Sequence, residues 1–357
     1  MKTTQQLHDL GQRLWLDNIT RELLASGTLN RYIGELAVTG LTSNPTIFDK
    51  AIGEGDCYDA AIQQKTAAGQ SGEALFLELA LEDLTEAADL FRPIHDASGG
   101  MDGWVSLEVS PLLVNDTAAT IAAAKKLYEH AQRPNLFIKI PGTRAGIPAI
   151  EEAIFAGVPV NVTLLFSKAH YLAAAEAYLR GIERRVAAGL DPKIASVASV
   201  FISRWDVAVK DKVPAALHNQ LGIAVAKQTY QAYRELLASP RWQALVSAGA
   251  WPQRVLWAST GTKDPDAPET LYIDALAAPD TINTVPEKTL LAFAEHGKVV
   301  GELPVDGGDA ENVLAEFDKA GVNVEQLAAV LQHEGAQSFA NSWHNLLDRI
   351  ASKSAGL

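Results

Sequence analysis

The chain has 357 residues, 48% hydrophobic and 20% charged, which is the composition of a globular protein with a large core. Its net charge of −13 opposes nonspecific nucleic-acid binding and anionic membranes, so an anionic ligand must be met by a few local basic groups and backbone N–H donors. Cys57 is the only cysteine, which excludes an internal disulfide and a CxxC metal site.

The N-terminus, MKTTQQLHDLGQRLWLDN, lacks the basic-then-apolar order of a secretion signal, and no apolar run is long enough to span a bilayer. A cytoplasmic enzyme is the expectation. From there, short apolar runs alternate with longer amphipathic stretches, the pattern of a parallel sheet with helical crossovers. The runs are RLWLD (13–17), LAVTGLTSN (36–44), GWVSLEVS (103–110), NLFIKIPG (135–142), VPVNVTLLF (158–166), ASVASVFIS (195–203), RVLWAST (254–260) and TINTV (281–285), eight in all. Helices are predicted over 73–96, 119–132, 145–157, 167–189, 224–239 and 322–353, the last with an interruption near Gly335. The final ASKSAGL reads as a frayed end or the start of a linker.

Eight strand–helix units around a closed sheet make a single (β/α)8 TIM barrel over 1–357, an α/β fold with extra helices between the second and third strands and a C-terminal helical extension. The rival is a doubly wound open sheet. That fold usually carries a Gly-rich first turn, and neither GxGxxG nor GxxxxGK[ST] occurs here.

In a barrel the site lies at the C-terminal strand ends, on inward side chains. Alternation with a period of two then pairs Trp15 with Asp17, Thr42 with Asn44, Ser106 with Glu108, and Asn161 with Thr163. It also pairs Phe201 with Ser203 and Trp257 with Ser259. Each alone could be a satisfied core polar group; their agreement on one face is what points to a site.

In NLFIKIPGT (135–143), Leu136, Ile138 and Ile140 fall on one face, with Phe137 and Lys139 on the other. A lysine among apolar side chains is penalised when charged, and a fall in its pKa from about 10.4 to roughly 7.5 would leave much neutral amine near neutral pH. A neutral amine attacks a carbonyl to form a Schiff base, and the resulting iminium withdraws electrons from an adjacent C–C bond. A lysine that only pairs with a buried carboxylate, or snorkels out at a strand end, is the plainer alternative. Asp17 and Glu108 are the only inward carboxylates, hence the candidate bases. Their negative charge would favour the protonated amine, against burial. Glu108 with Thr163 can bind a reacting water, while Asn44, Asn161 and Ser203 suit sugar hydroxyls because they both donate and accept. Arg204, or an anion nest at Ser259-Thr260-Gly261-Thr262-Lys263, could meet a phosphate.

The eight histidines show no HxxxH or HExxH spacing, so no protein-bound metal is expected, and no cofactor. Tyr and Trp are scattered, leaving no stacking platform for nucleic acid.

Taken together, TSNPTIF, SLEVSP, FIKIPGT and NVTLLFS resemble the transaldolase family in its longer bacterial form, over nearly the whole chain. The resemblance implies a (β/α)8 barrel with the Schiff-base lysine, here Lys139, on the fourth strand. It implies transfer of a dihydroxyacetone unit from fructose 6-phosphate to erythrose 4-phosphate in the non-oxidative pentose phosphate pathway, with small sugar phosphates as the only partners and a homo-oligomer left open. By the same likeness Asp17 is the proton-transfer carboxylate, Glu108 and Thr163 hold water, and Asn44, Asn161 and Ser203 bind the dihydroxyacetone part. The phosphate end departs from the shorter enzymes. Those carry an arginine several residues beyond the serine matching Ser203, and another two after the serine matching Ser259; here Arg204 follows Ser203 directly and Lys263 stands further on. A sugar-phosphate aldolase of the same barrel group, or a non-catalytic sugar-phosphate-binding barrel, are the alternatives.

Overall fold

The computed structural model describes residues 2–356. All eight predicted runs are strands: β1 Arg13–Leu16, β2 Val38–Thr42, β3 Trp104–Glu108, β4 Leu136–Pro141, β5 Val160–Leu165, β6 Ser196–Phe201, β7 Gln253–Ala258 and β8 Ile282–Val285. They pair in parallel in chain order, and β8 returns to β1 to close the barrel. Closure leaves no sheet edge exposed.

Alternation sorts the strand side chains as a closed barrel demands. Val105, Leu107, Ile138, Ile140, Val160 and Val162 pack outward with the helices. Trp15, Trp104, Phe137, Val197, Leu256 and Ile282 fill the interior. The Trp104 and Phe137 rings stack with centroids 4.1 Å apart, and Trp15 lies 6.1 Å from Phe137. Gly40 on β2 makes room for them. A Cβ there would stand 2.6 Å from the Trp104 carbonyl oxygen and 2.7 Å from the Trp15 indole nitrogen, so no side chain fits.

Below these rings Asp102 accepts from Trp15 Nε1 at 3.1 Å and pairs with Arg13 Nε at 3.3 Å. The lower barrel is therefore largely plugged by side chains, with no more than a small cavity beside Trp104 and Trp251.

Helices cover the outside. The insertion between β2 and β3 holds Pro45–Gly53, Asp59–Ala67 and Gly72–Ala97, the extra helices expected there. Two short helices between β1 and β2, Arg21–Ala25 and Thr28–Leu36, were not foreseen from the sequence. None of the described helices is long and apolar enough to cross a membrane.

The C-terminal helix runs Val324–Gly356 without a break, which corrects two expectations. ASKSAGL continues the helix through Gly356 instead of fraying. Gly335 does not interrupt it; the glycine is a point of close approach, since a Cβ there would lie 2.9 Å from Leu164 Cδ2. One isolated glycine costs a long helix only about 1 kcal/mol, less than its tertiary packing supplies. The helix crosses the upper rim of the barrel, where Gln332 Nε2 donates to the carbonyls of Leu164, near the end of β5, and of Gly142, just beyond β4. It is then pinned to the β2–β3 insertion through Arg349–Asp49 and Lys353–Asp59.

Candidate active site

Register decides which groups meet at the upper end. Glu108 on β3 is level with Lys139 on β4, and Lys139 is level with Asn161 on β5, with Thr163 one inward position higher. The amine thus stands between a carboxylate and an amide on adjacent strands.

Lys139 is only 5% exposed. Its Nζ lies 3.1 Å from Glu108 Oε2 and donates to the Ser43 carbonyl at 3.0 Å. Phe339, from the C-terminal helix, covers it with its ring centroid 5.5 Å from Nζ. Glu108 is buried and makes this ion pair without a well-aligned hydrogen bond to either carboxylate oxygen. Burial pushes its pKa above the ordinary carboxylate value; the Lys139 charge and hydrogen bonding oppose this, and the Asp17 charge adds to it. The buried Thr163 hydroxyl likewise has no partner among the described residues.

Asp17 follows β1, its backbone N–H bonded to the Val285 carbonyl at 2.8 Å. Burial raises its carboxyl pKa as well, opposed by the Lys139 charge and by a hydrogen bond from Thr42. Thr42 Oγ1 donates to Asp17 Oδ1 at 2.9 Å and lies 2.7 Å from Thr284 Oγ1. With the Thr42 proton directed to Asp17, Thr284 is the donor of that second contact, and two threonines fix the orientation of the carboxylate.

These groups open into a cleft of about 580 Å³ including its mouth. Asp17, Asn44, Lys139, Thr163 and Ser199 line its depth, and Arg204, Ser259, Lys263 and Phe339 its upper wall. A few polar groups converge there on one point, as in a small-molecule site.

A sequence profile of the Transaldolase/Fructose-6-phosphate aldolase family matches residues 14–350. The chain is 45% identical to a protein named transaldolase from Thermobifida fusca, over 98% of each chain. It is 44% identical to one from a Parafrankia species, over 98% of this chain and 97% of that one. A transaldolase 2 from a Nostoc species is 38% identical, over 98% and 96%.

The chain belongs to the transaldolase/fructose-6-phosphate aldolase family.

Against that family frame, the residues singled out from the sequence fall into three groups. Asp17, Asn44, Lys139, Thr163, Arg204, Ser259 and Lys263 line the cleft. Glu108 and Asn161 stand directly behind it. Asn161 Nδ2 donates to Ser106 Oγ at 3.1 Å, and its Oδ1 accepts from Ser199 Oγ at 2.7 Å. Ser203 is not in the wall. Strand β6 ends at Phe201 and Ser203 opens the helix Ser203–Val209, so strand alternation no longer applies to it. Its Oγ instead meets Ser259 Oγ at 3.0 Å, and its N–H donates to the Ser259 carbonyl. The inward positions of β6 are Val197, Ser199 and Phe201, and Ser199 is the hydroxyl that the sequence reading missed.

Two further placements differ in detail. Trp257 packs outward with the helices, so Ser259 does not share its face. Ser259 reaches the cleft through a left-handed backbone, φ +54°, a conformation costing a non-glycine residue about 1–3 kcal/mol. Asn44 is the N-cap of the helix Pro45–Gly53, its Oδ1 accepting from the Ile47 N–H at 3.1 Å. Only its amide NH2 remains for a ligand.

Proposed function

We propose that the chain is a transaldolase, moving a dihydroxyacetone unit from fructose 6-phosphate or sedoheptulose 7-phosphate to an aldose phosphate acceptor through a Schiff base on Lys139. What carries the reading is the Lys139 amine, facing the cleft with Glu108 at 3.1 Å, in a chain whose relatives bear that name.

The amine must offer a lone pair to the ketose C2 carbonyl. Glu108 is the nearest group able to take its proton, and burial makes that carboxylate a stronger base than usual. Attack gives a carbinolamine, whose hydroxyl is protonated and leaves as water to form the iminium. Asp17 then removes the proton of the C4 hydroxyl. The electrons of the C3–C4 bond flow into the iminium, leaving an enamine on Lys139 and releasing the shorter aldose phosphate. The enamine carbon attacks the acceptor aldehyde, and Asp17 returns its proton to the oxygen of the new bond. Water activated by Glu108 and oriented by Thr163 hydrolyses the new iminium, restoring the amine.

The amide NH2 of Asn44 and the hydroxyl of Ser199 reach the cleft, where they suit the hydroxyls of the dihydroxyacetone part, with Asn161 fixing Ser199 from behind. Arg204, Ser259 and Lys263, at the upper wall, are assigned to the phosphate.

Treatment with fructose 6-phosphate and borohydride, followed by peptide mass analysis, should place one adduct on Lys139. With erythrose 4-phosphate present, sedoheptulose 7-phosphate should accumulate. An adduct elsewhere, or none, would sink the mechanism; free dihydroxyacetone without sedoheptulose 7-phosphate would make the chain an aldolase instead.

A further inference from the structure

Arg204 is held in the cleft without using any of its donors. It has no hydrogen bond and no ion pair among the described residues, only the more distant charge of Glu334, and its guanidinium lies over two rings. The Phe201 centroid lies 5.1 Å from its Cζ and the Phe339 centroid 5.9 Å, both within cation–π range. Gly335, one turn before Phe339, permits the approach, because a Cβ there would stand 3.1 Å from Arg204 Nη1. The same Phe339 ring covers Lys139 at 5.5 Å. One side chain of the C-terminal helix therefore approaches two of the cleft's three cations, Lys139 in its depth and Arg204 in its upper wall.

We infer that Phe339 is a positioning residue for phosphorylated substrates: with Phe201 it seats the Arg204 guanidinium by its π-face, leaving the five N–H donors free for an oxyanion. The inference deepens the function proposed above and rests on it. A salt bridge could hold the arginine as firmly, but it would arrive at the ligand with its charge answered and its donors engaged. Rings attract the cation without engaging its N–H groups in ordinary hydrogen bonds. The long side chain is then ordered before the ligand arrives, and less freedom is lost on binding.

The bland alternative is that Phe339, 4% exposed in the interior cluster, merely fills space beneath the helix. Phe339→Leu separates the two roles, since it keeps an apolar side chain but loses the ring. With the acceptor fixed, kcat/KM for fructose 6-phosphate should fall about tenfold, the loss of a desolvated cation–π contact. Any effect of the lost ring on Lys139 is shared by unphosphorylated fructose, so the readout is the ratio of the two kcat/KM values, which should shift several-fold in favour of fructose. Phe339→Tyr, which retains the ring, should recover most of the difference. If Phe339→Leu fails to fold, as judged by its thermal transition, Phe339→Met, which keeps more apolar volume but has no ring, should give the same donor-selective loss. No Lys139 adduct in the unsubstituted protein would overturn the proposed function. An adduct there, with both donors equally impaired or neither impaired, would overturn the role of Phe339 alone.

Discussion

The two ends of the barrel interior use similar materials in opposite ways. At the lower end, Asp102 is matched by the Trp15 indole N–H and Arg13, and the Trp104 indole donates to the Gly100 carbonyl at 3.1 Å. At the upper end, the Glu108 carboxylate and the Thr163 hydroxyl are equally buried but lack well-formed hydrogen bonds. Leaving a buried polar group unsatisfied costs about 1–3 kcal/mol. The Asp102 cluster avoids that cost and supplies stability, although the side-chain oxygens of Gln12, Asn135 and Gln253 near the same end are themselves without partners among the described residues; the upper end keeps Glu108, paired with Lys139, and Thr163 ready to bond to a reacting molecule.

Lys139→Ala should separate the two ends most sharply. Activity should fall by at least about 10⁴-fold, as removal of a covalent nucleophile does, and the borohydride adduct should vanish. The thermal transition should shift little in comparison, because the lower plug is untouched. An adduct surviving in this variant would exclude Lys139 as the nucleophile.

Next comes Asp17→Ala. Adduct formation should persist while turnover drops about 10²–10⁴-fold, the range for a lost general acid–base. Rapid turnover in that variant would refute the role assigned to Asp17.

Trp104→Ala tests the other end. Urea unfolding should show a loss of about 3–5 kcal/mol, as for other large aromatic deletions, while the adduct still forms on the folded fraction. If Trp104→Ala costs under about 1 kcal/mol, the lower end is not the stabilising half.

The smallest effect lies on the flank. Asp206 is buried in the helix that begins with Ser203 and Arg204, accepting from the Tyr272 hydroxyl and from the N–H groups of Leu221 and Gly222. Burial nevertheless pushes its pKa up to about 6. A carboxyl that holds its proton more tightly folded than unfolded contributes stability in full below its unfolded pKa, and loses it as pH rises through the folded value. Stability should therefore decline by about 1–3 kcal/mol between roughly pH 4 and 7 on account of Asp206. Asp83, also raised to about 6, adds a parallel decline, so the comparison is between the profiles of the parent and Asp206→Asn. The substituted protein should show the shallower slope; identical slopes in urea would rule Asp206 out.

How far the sequence reached is visible in particular residues. The eight strands were legible because period-two alternation survives in short strands whose inner and outer faces differ. Lys139 stood out as one charge in an apolar run, and register then brought Glu108 beside it without further information. Ser199 was hidden because ASVASVFIS reads as strand up to Ser203, whereas the strand ends at Phe201 and Ser203 already opens a helix. Asn44 carried two signals, since an asparagine before proline at a helix start is a cap as well as a donor. Phe339 had no local signal at all. It reaches the cleft only because a helix far along the chain folds back over the barrel rim, and nothing in its neighbours in sequence specifies that destination.

Closure of the ring has a kinetic meaning. The β1–β8 pairing joins segments about as far apart in sequence as any in the barrel, and contacts of such separation form late and slowly. Asp17 sits on that seam, its N–H bonded to Val285. A chain with seven strands paired would hold Lys139 beside Glu108 but leave Asp17 without its place, so C–C cleavage would begin only when the ring closes. Recovery of turnover during refolding should therefore report the final joining of the barrel, and lag behind any signal from β3 to β5.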